Sequence, residues 1–398
     1  MYRRMRIPTS SSRCPATPIL PPARVSEFAA DVFGEVLHHK RVESVANATL
    51  GVLQGASLAV SAIGQGLALA QGSNCKHAIK QVDRLFSNRG LDVHALFASW
   101  VPFVLGERLE VVVALDWTDF DKDDQSTLVL SLCTSHGRCT PLVWKTVKKS
   151  QLKKRRNDFE DALLLRLREV IPDGVRVTVL CDRGFADQKL YEFIKTELGF
   201  DYVIRFRASI TVTDPRGQSR AARDWIPKSA KTLKLRDARV TQDGYPVGAV
   251  VVKKDHGMKE AWCLATSRSD LSGGEVVALY AKRFTTEETF RDQKDPRFGM
   301  GLSSTRIQDP KRRDRVLLVS AMASVLLTLL GAAGESLGED RMLKANTSKQ
   351  RTHSLLRQGT YYFAALATWP EERSARLLAR FGLLLSKQPF CRHVFGIV

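Results

Sequence analysis

From residue 25 to about 105, apolar residues recur at three- and four-residue spacings, which predicts helices. Gly51, Gly64 and residues 72–74 are read as breaks between them. Three runs rich in Val, Leu and Thr follow at 109–115, 127–133 and 140–147, separated by turn residues, and predict strands. A helix at 159–170, a short buried strand at 175–181, a helix at 188–198 and a strand at 202–206 complete the order β-β-β-α-β-α-β. A three-strand meander followed by βα crossovers predicts a mixed sheet with its first and fourth strands adjacent and parallel.

Residues 208–268 break this rhythm with Pro215, Gly217, Pro227, Gly244, Pro246 and Gly248 among short alternating runs at 240–241 and 247–252. They predict a β-rich insertion. Residues 275–294 contain no Gly or Pro and predict one helix; residues 299–307 predict a loop, with Lys311, Arg312 and Arg313 starting a further helix. Residues 316–334 carry no charge and are just long enough to span a bilayer, yet Ser320, Ser324, Thr328 and two glycines favour a buried core helix. A polar linker at 344–358 and a terminal helix at 360–385, interrupted at Pro370, close the chain. The first 26 residues lack acids and an apolar signal core, and read as a disordered basic lead-in. The expected organisation is a lead-in (1–24), a helical DNA-binding region (25–107), an α/β core in two parts (108–207 and 269–340) around the insertion (208–268), and a C-terminal linker and helical region (341–398).

Charge narrows the partners. The chain carries 61 Lys and Arg against 42 Asp and Glu, a net +19 spread over its whole length, which favours polyanions, nucleic acid before anionic membrane. Lys145, Lys148, Lys149, Lys153, Lys154, Arg155 and Arg156 cluster after the third strand and suit a phosphate backbone. Residues 75–86, with Lys76, Lys80 and Arg84 followed by Arg89, present a second basic face. Seven cysteines without a Cys-x-x-Cys point to a reduced, cytosolic chain. Cys133, His136 and Cys139 resemble half of a zinc site, but Gly137 marks a turn between strands and no second ligand pair is suitably spaced.

Candidate chemistry lies in the 275–294 helix. At about 100° per residue, Tyr280, Arg283, Glu287 and Lys294 share one narrow arc, flanked by Leu279 and Phe290 on one side and Val277 and Phe284 on the other. This predicts the floor of a cleft, with Lys282, Thr285, Thr286, Asp292 and Gln293 on a solvated far face. Asp116 closes the first strand and Asp182 the fourth, so two carboxylates are expected at one end of the sheet, where ligands of open α/β sheets bind. With Glu287 they form the set that two divalent cations require, Mg²⁺ by preference, with Arg283 and Lys294 on phosphates.

At these residues the sequence resembles the DDE transposases of bacterial insertion sequences, the group with an RNase H-like core and a Tyr-x2-Arg-x3-Glu-x6-Lys signature. Tyr280, Arg283, Glu287 and Lys294 match that spacing, and Asp182-Arg183-Gly184-Phe185 looks like the segment around the second Asp of the family. The resemblance implies Asp116, Asp182 and Glu287 as metal-binding catalytic acids, two Mg²⁺ ions replaceable by Mn²⁺, and DNA contacts from Tyr280, Arg283 and Lys294. It further implies a homodimer on paired inverted repeats, a nucleoid-associated place in a bacterial cytoplasm, and, in some members, a Trp platform for a flipped base; Trp225 and Trp262 are the candidates. A junction resolvase or nuclease of the same fold, and a catalytically silent DNA-binding descendant, are the alternatives.

Overall fold

The computed structural model describes residues 22–386 apart from 228, 230 and 298, so most of the expected basic lead-in lies outside the described residues. Five helices come first: α1 (Pro22–Phe33), α2 (His39–Gly55), α3 (Val60–Gln71), α4 (Cys75–Ser87) and α5 (Val93–Leu105). Gly51 and Gly64, expected as breaks, lie inside α2 and α3. A Cβ on Gly51 would collide with the Ile63 carbonyl oxygen and one on Gly64 with the Ile79 backbone, so these glycines let the helices touch. The break at 72–74 is present: Gly72 closes α3 in the left-handed region and the Asn74 side chain caps α4.

The expected α/β pattern follows as β1 (Glu110–Phe120), β2 (Gln125–Cys133), β3 (Cys139–Lys148), α6 (Arg156–Val170), β4 (Arg176–Cys181), α7 (Gln188–Glu192), continued by one π-turn, and β5 (Asp201–Phe206). Next come β6 (Thr211–Thr213), β7 (Ser219–Ala221), β8 (Leu233–Arg236), β9 (Arg239–Val240), β10 (Tyr245–Pro246), β11 (Ala249–Lys253) and β12 (Trp262–Thr266). The main sheet has the order β3-β2-β1-β4-β5-β12-β11-β8, with β1, β4 and β5 parallel. The 208–268 segment is therefore not wholly separate from the core. Its strands β12, β11 and β8 extend the main sheet antiparallel from β5, because Cys263 to Thr266 use the free edge of β5, while β10-β9-β6-β7 form a small second sheet.

Strand β1 also runs further than its apolar run predicts. Pairing with β2 continues from Asp116↔Val129 to Phe120↔Gln125, so Asp116 sits within the strand, not at its end.

Helices α8 (Gly273–Ala281), α9 (Phe284–Lys294), α10 (Pro310–Ser336), α11 (Leu355–Ala365) and α12 (Glu371–Ser386) complete the fold. Helix α10 is the one described helix long and apolar enough to cross a membrane by itself, but 94% of its apolar window is buried inside the protein. A helix apolar all round belongs in a core, and this one packs on α11, α12, α2 and β3. Its basic start is structural. Arg313 is fully buried, donates to Gln125 Oε1 at 2.7 Å, pairs with Asp123 and lies over the Phe120 ring, while Arg312 pairs with Asp83. The expected linker at 344–358 is shorter than the sequence suggests, since α11 begins at Leu355.

A candidate active site between two strands and a helix break

Strands β1 and β4 are in parallel register through Leu115↔Cys181. The next residues are Asp116 and Asp182, so the acids follow adjoining positions of neighbouring strands, whose backbones run about 4.8 Å apart. Asp182 leaves the sheet and caps a short 3₁₀ turn, its Oδ1 accepting from the Gly184 N–H at 2.7 Å. Asp116 stays in the strand with only 16% of its side chain exposed. Burial pushes its carboxyl up to about 6; Arg283 opposes this, and the charges of Asp182 and Glu287 add to it.

The expected single helix is two. Ser272 and Glu275 form a capping box that starts α8. At Lys282 and Arg283 the ladder tightens, with Arg283 N–H bonded to Tyr280 O at 3.0 Å and Thr286 N–H to Arg283 O at 2.9 Å, so a 3₁₀-like step separates α8 from α9. That step turns Arg283 inward. Its Nη1 donates to Asp116 Oδ2 at 3.0 Å and its Nη2 to Glu287 Oε1 at 2.7 Å. One buried guanidinium thus ties the acid on β1 to the acid on α9.

The polar arc is divided by depth. Tyr280 is fully buried, edge-on to Trp262 at 5.0 Å, with its hydroxyl against the Arg283 guanidinium. Glu287 is half-exposed. Lys294 reaches back to the tail of β1, donating to Thr118 Oγ1 at 3.1 Å and Asp119 O at 2.6 Å. The far face is not solvated as its polarity suggests: Thr286 and Gln293 are buried, Thr289 Oγ1 accepts from Cys139 N–H at 2.8 Å, and Asp292 pairs with Arg138. Threonines pack there because the β2–β3 hairpin supplies their hydrogen bonds.

A cleft of about 500 Å³ opens beside the acids, lined by Asp182, Arg183, Arg205, Trp262, Phe284 and Glu287 among others. Trp262 stacks on Phe284, ring centroids 5.7 Å apart, and faces this cleft. Trp225 instead packs into the small sheet, its indole bonded to Val212 O. Three charged neighbours of the site went unassigned in the sequence: Glu160, Arg205 and Glu260. Glu160 on α6 accepts from the Trp117 indole at 2.7 Å and burial pushes its carboxyl up to about 7. Arg205 was detectable, as the one cation in a strand that is apolar from Tyr202 to Phe206 apart from it.

The flanking basic clusters are surface features. Lys153, Lys154, Arg155 and Arg156 are all exposed; Arg155 pairs with Asp158, and Arg156 with Glu160 while lying over the Trp117 ring. Lys76, Lys80, Arg84 and Arg89 are likewise exposed. Cys133 and Cys139 face each other across the hairpin, sulfurs 3.8 Å apart, with His136 buried nearby.

As the side chains lie, no described group of three His, Cys, Asp or Glu is gathered closely enough to hold a metal ion, since Arg283 stands between Asp116 and Glu287. The donor set itself fits a hard divalent cation, being all carboxylate oxygen.

The strand order β3-β2-β1-β4-β5, with acids at the adjoining positions of β1 and β4, defines an RNase H-like core. Residues 108–326, more than half of the chain, match the transposase DDE domain family, and the chain belongs to that family. It is accordingly a transposase, an enzyme class that cleaves and transfers nucleic-acid strands with the help of divalent metal ions, and its substrate is DNA. No curated protein matches the chain.

Proposed function

We propose that this transposase works by cut-and-paste: hydrolysis at transposon ends, then attack of the freed 3′-hydroxyl on target DNA. The observation that carries the site is the bridge from Asp116 through Arg283 to Glu287, with Asp182 beside Asp116 on the next strand. In this reading Asp116, Asp182 and Glu287 hold two Mg²⁺ ions, with Mn²⁺ an acceptable replacement. When bound, such ions activate the attacking oxygen and steady the leaving one. Arg283 keeps the acids in mutual reach and carries charge to the scissile phosphate, in a fork geometry suited to it. Lys294, fixed to the tail of β1, holds an adjoining phosphate, and buried Tyr280 supports the Trp262–Phe284 stack, so that Trp262 is the better platform for a displaced base. Tyr280, Arg283, Glu287 and Lys294 keep the Tyr-x2-Arg-x3-Glu-x6-Lys spacing, which supports reading the chain as a member of the insertion-sequence subgroup with that signature.

The same reading assigns α1–α5 to recognition of inverted repeats, 208–268 to the insertion, 341–398 to end pairing in a homodimer, and the protein to a bacterial cytoplasm, at the nucleoid. Lys153, Lys154, Arg155 and Arg156 contact the DNA backbone. The decisive experiment compares Glu287→Gln with Lys294→Ala over a Mg²⁺ titration. Glu287→Gln keeps size but loses the charge that neutralises metal, so cleavage falls by several orders of magnitude while end binding survives. Lys294→Ala weakens end binding and leaves the metal requirement nearly unchanged. Wild-type cleavage by Glu287→Gln would refute the site.

A further inference from the structure

Beyond the acids, the cleft continues past Arg183 and Arg205 into a second one of about 370 Å³. Six cations line this second cleft, Arg183, Arg205, Arg207, Arg223, Lys254 and Lys259, and Glu260 is the one acid among its lining residues. Glu260 sits on the connection between β11 and β12 and spans the junction of the two clefts. Its Oε2 accepts from Arg183 Nη1 at 2.7 Å and from Arg205 Nη2 at 2.8 Å. Two guanidinium groups, from the 3₁₀ turn after β4 and from β5, converge on a single oxygen there, which is the geometry they would offer a non-bridging phosphate oxygen.

We propose that the second cleft is a channel for the phosphate backbone of the DNA strand leading away from the catalytic acids, and that Glu260 is a built-in phosphate substitute that entering DNA displaces from Arg183 and Arg205. The proposal rests on reading Asp116, Asp182 and Glu287 as the active site. The exchange is economical because the strut is at the surface: Glu260 and Arg183 are each more than half exposed, so their pair contributes little stability and separates readily. Arg205, only 18% exposed, stays in place to receive the phosphate. Lys254 holds the strut's loop by donating to Met258 O at 2.7 Å and Lys259 O at 2.9 Å, so the loop keeps its shape when Glu260 lets go.

The test is the affinity of the full-length protein for a fluorescein-labelled DNA duplex of arbitrary sequence, measured by anisotropy in EDTA from about 50 to about 200 mM KCl. Glu260→Gln removes the competing anion and should tighten binding roughly three- to tenfold at the low-salt end. Arg183→Gln with Arg205→Gln should weaken binding and reduce the salt slope by about 2, near 0.9 for each lost phosphate contact. Adding Glu260→Gln to that pair should tighten binding no more than the net-charge control does. Asp173→Asn, an exposed acid in the turn before β4 at the other end of the sheet, controls for net charge. If Glu260→Gln tightens binding no more than Asp173→Asn, or does so equally without the two arginines, the strut reading is wrong. The two failures are distinguishable, because binding in EDTA is independent of cleavage: Glu287→Gln with wild-type cleavage would overturn the active-site assignment and with it the course of the channel, whereas an unchanged Glu260→Gln affinity would overturn the strut alone.

Discussion

Asp314→Asn isolates one buried charge in the central helix. Asp314 lies in the first turns of α10, 7% exposed, with Oδ1 accepting from the Thr146 N–H at 3.0 Å and its carbonyl accepting from the Trp144 indole at 3.2 Å. Burial raises its carboxyl from the ordinary 3.8 to about 7, with the Thr146 hydrogen bonds and the charges of Lys145 and Arg315 pulling the other way. Between those two values the folded chain keeps a proton that the unfolded chain has released, so this group makes stability fall as pH rises from about 4 to about 7 and contributes no further slope above. A gap of about three units sets a ceiling of about 4 kcal/mol on the loss. The amide of Asn keeps an oxygen for Thr146 and has no proton to lose. Relative to wild type, the variant should therefore gain about 2–4 kcal/mol between pH 4.5 and pH 8, less whatever Lys145 and Arg315 forfeit in losing a negative neighbour. Urea midpoints read by tryptophan fluorescence at pH 4.5, 6 and 8 measure it. Glu160 titrates in both proteins and cancels in the difference. Parallel curves across that range would refute the argument.

Neutralising Lys153, Lys154, Arg155 and Arg156 together should flatten the salt dependence of DNA binding by about 2 to 4 in slope, with Lys153 and Lys154 contributing most because Arg155 and Arg156 already have acidic partners; an unchanged slope returns the cluster to a solvated surface. Gly359→Ala should destabilise the chain by about 3 kcal/mol or more, since its Cβ would enter the Leu327 carbonyl where α11 crosses α10, and a thermal midpoint equal to wild type would show that the crossing is looser than described. Trp262→Ala should lower stability by well under the about 3–5 kcal/mol of a core indole, because Trp262 faces the cleft and Tyr280 and Phe284 keep each other as aromatic neighbours at 6.5 Å; a loss in the core range, read from denaturation midpoints, would show the indole to be core and not platform.

Much of the core was legible because its signals are local. Apolar runs of strand length placed β1 to β5 within a few residues, and the order of strands and helices carried the parallel pairing of β1 with β4. What escaped depended on partners distant in sequence. The continuation of β1 beyond Asp116 is set by β2, and nothing in Trp117, Thr118 or Asp119 announces it. The helix break at Arg283 has no Gly or Pro to mark it; the backbone tightens where a buried guanidinium reaches Asp116. Helical periodicity put Thr286 and Gln293 on the wet face because polarity alone cannot distinguish water from a β-hairpin rich in hydrogen-bonding groups. Glu260 is invisible in a sequence reading, as its meaning comes from two arginines 77 and 55 residues away.

The extension of the main sheet through β12 and β11 has a mechanical consequence. Asp116, Asp182, Arg205 and Trp262 all ride on one hydrogen-bonded sheet, directly or within a residue of it, so this wall of the groove behaves as a single plate. The facing wall is α9, attached through the tightened step at Lys282 and Arg283. That helix is laced to the plate by Lys294 to Thr118, Thr289 to Cys139 and Asp292 to Arg138, so Glu287 is carried by the same rigid frame as the two aspartates, and the acids keep their spacing when a duplex enters.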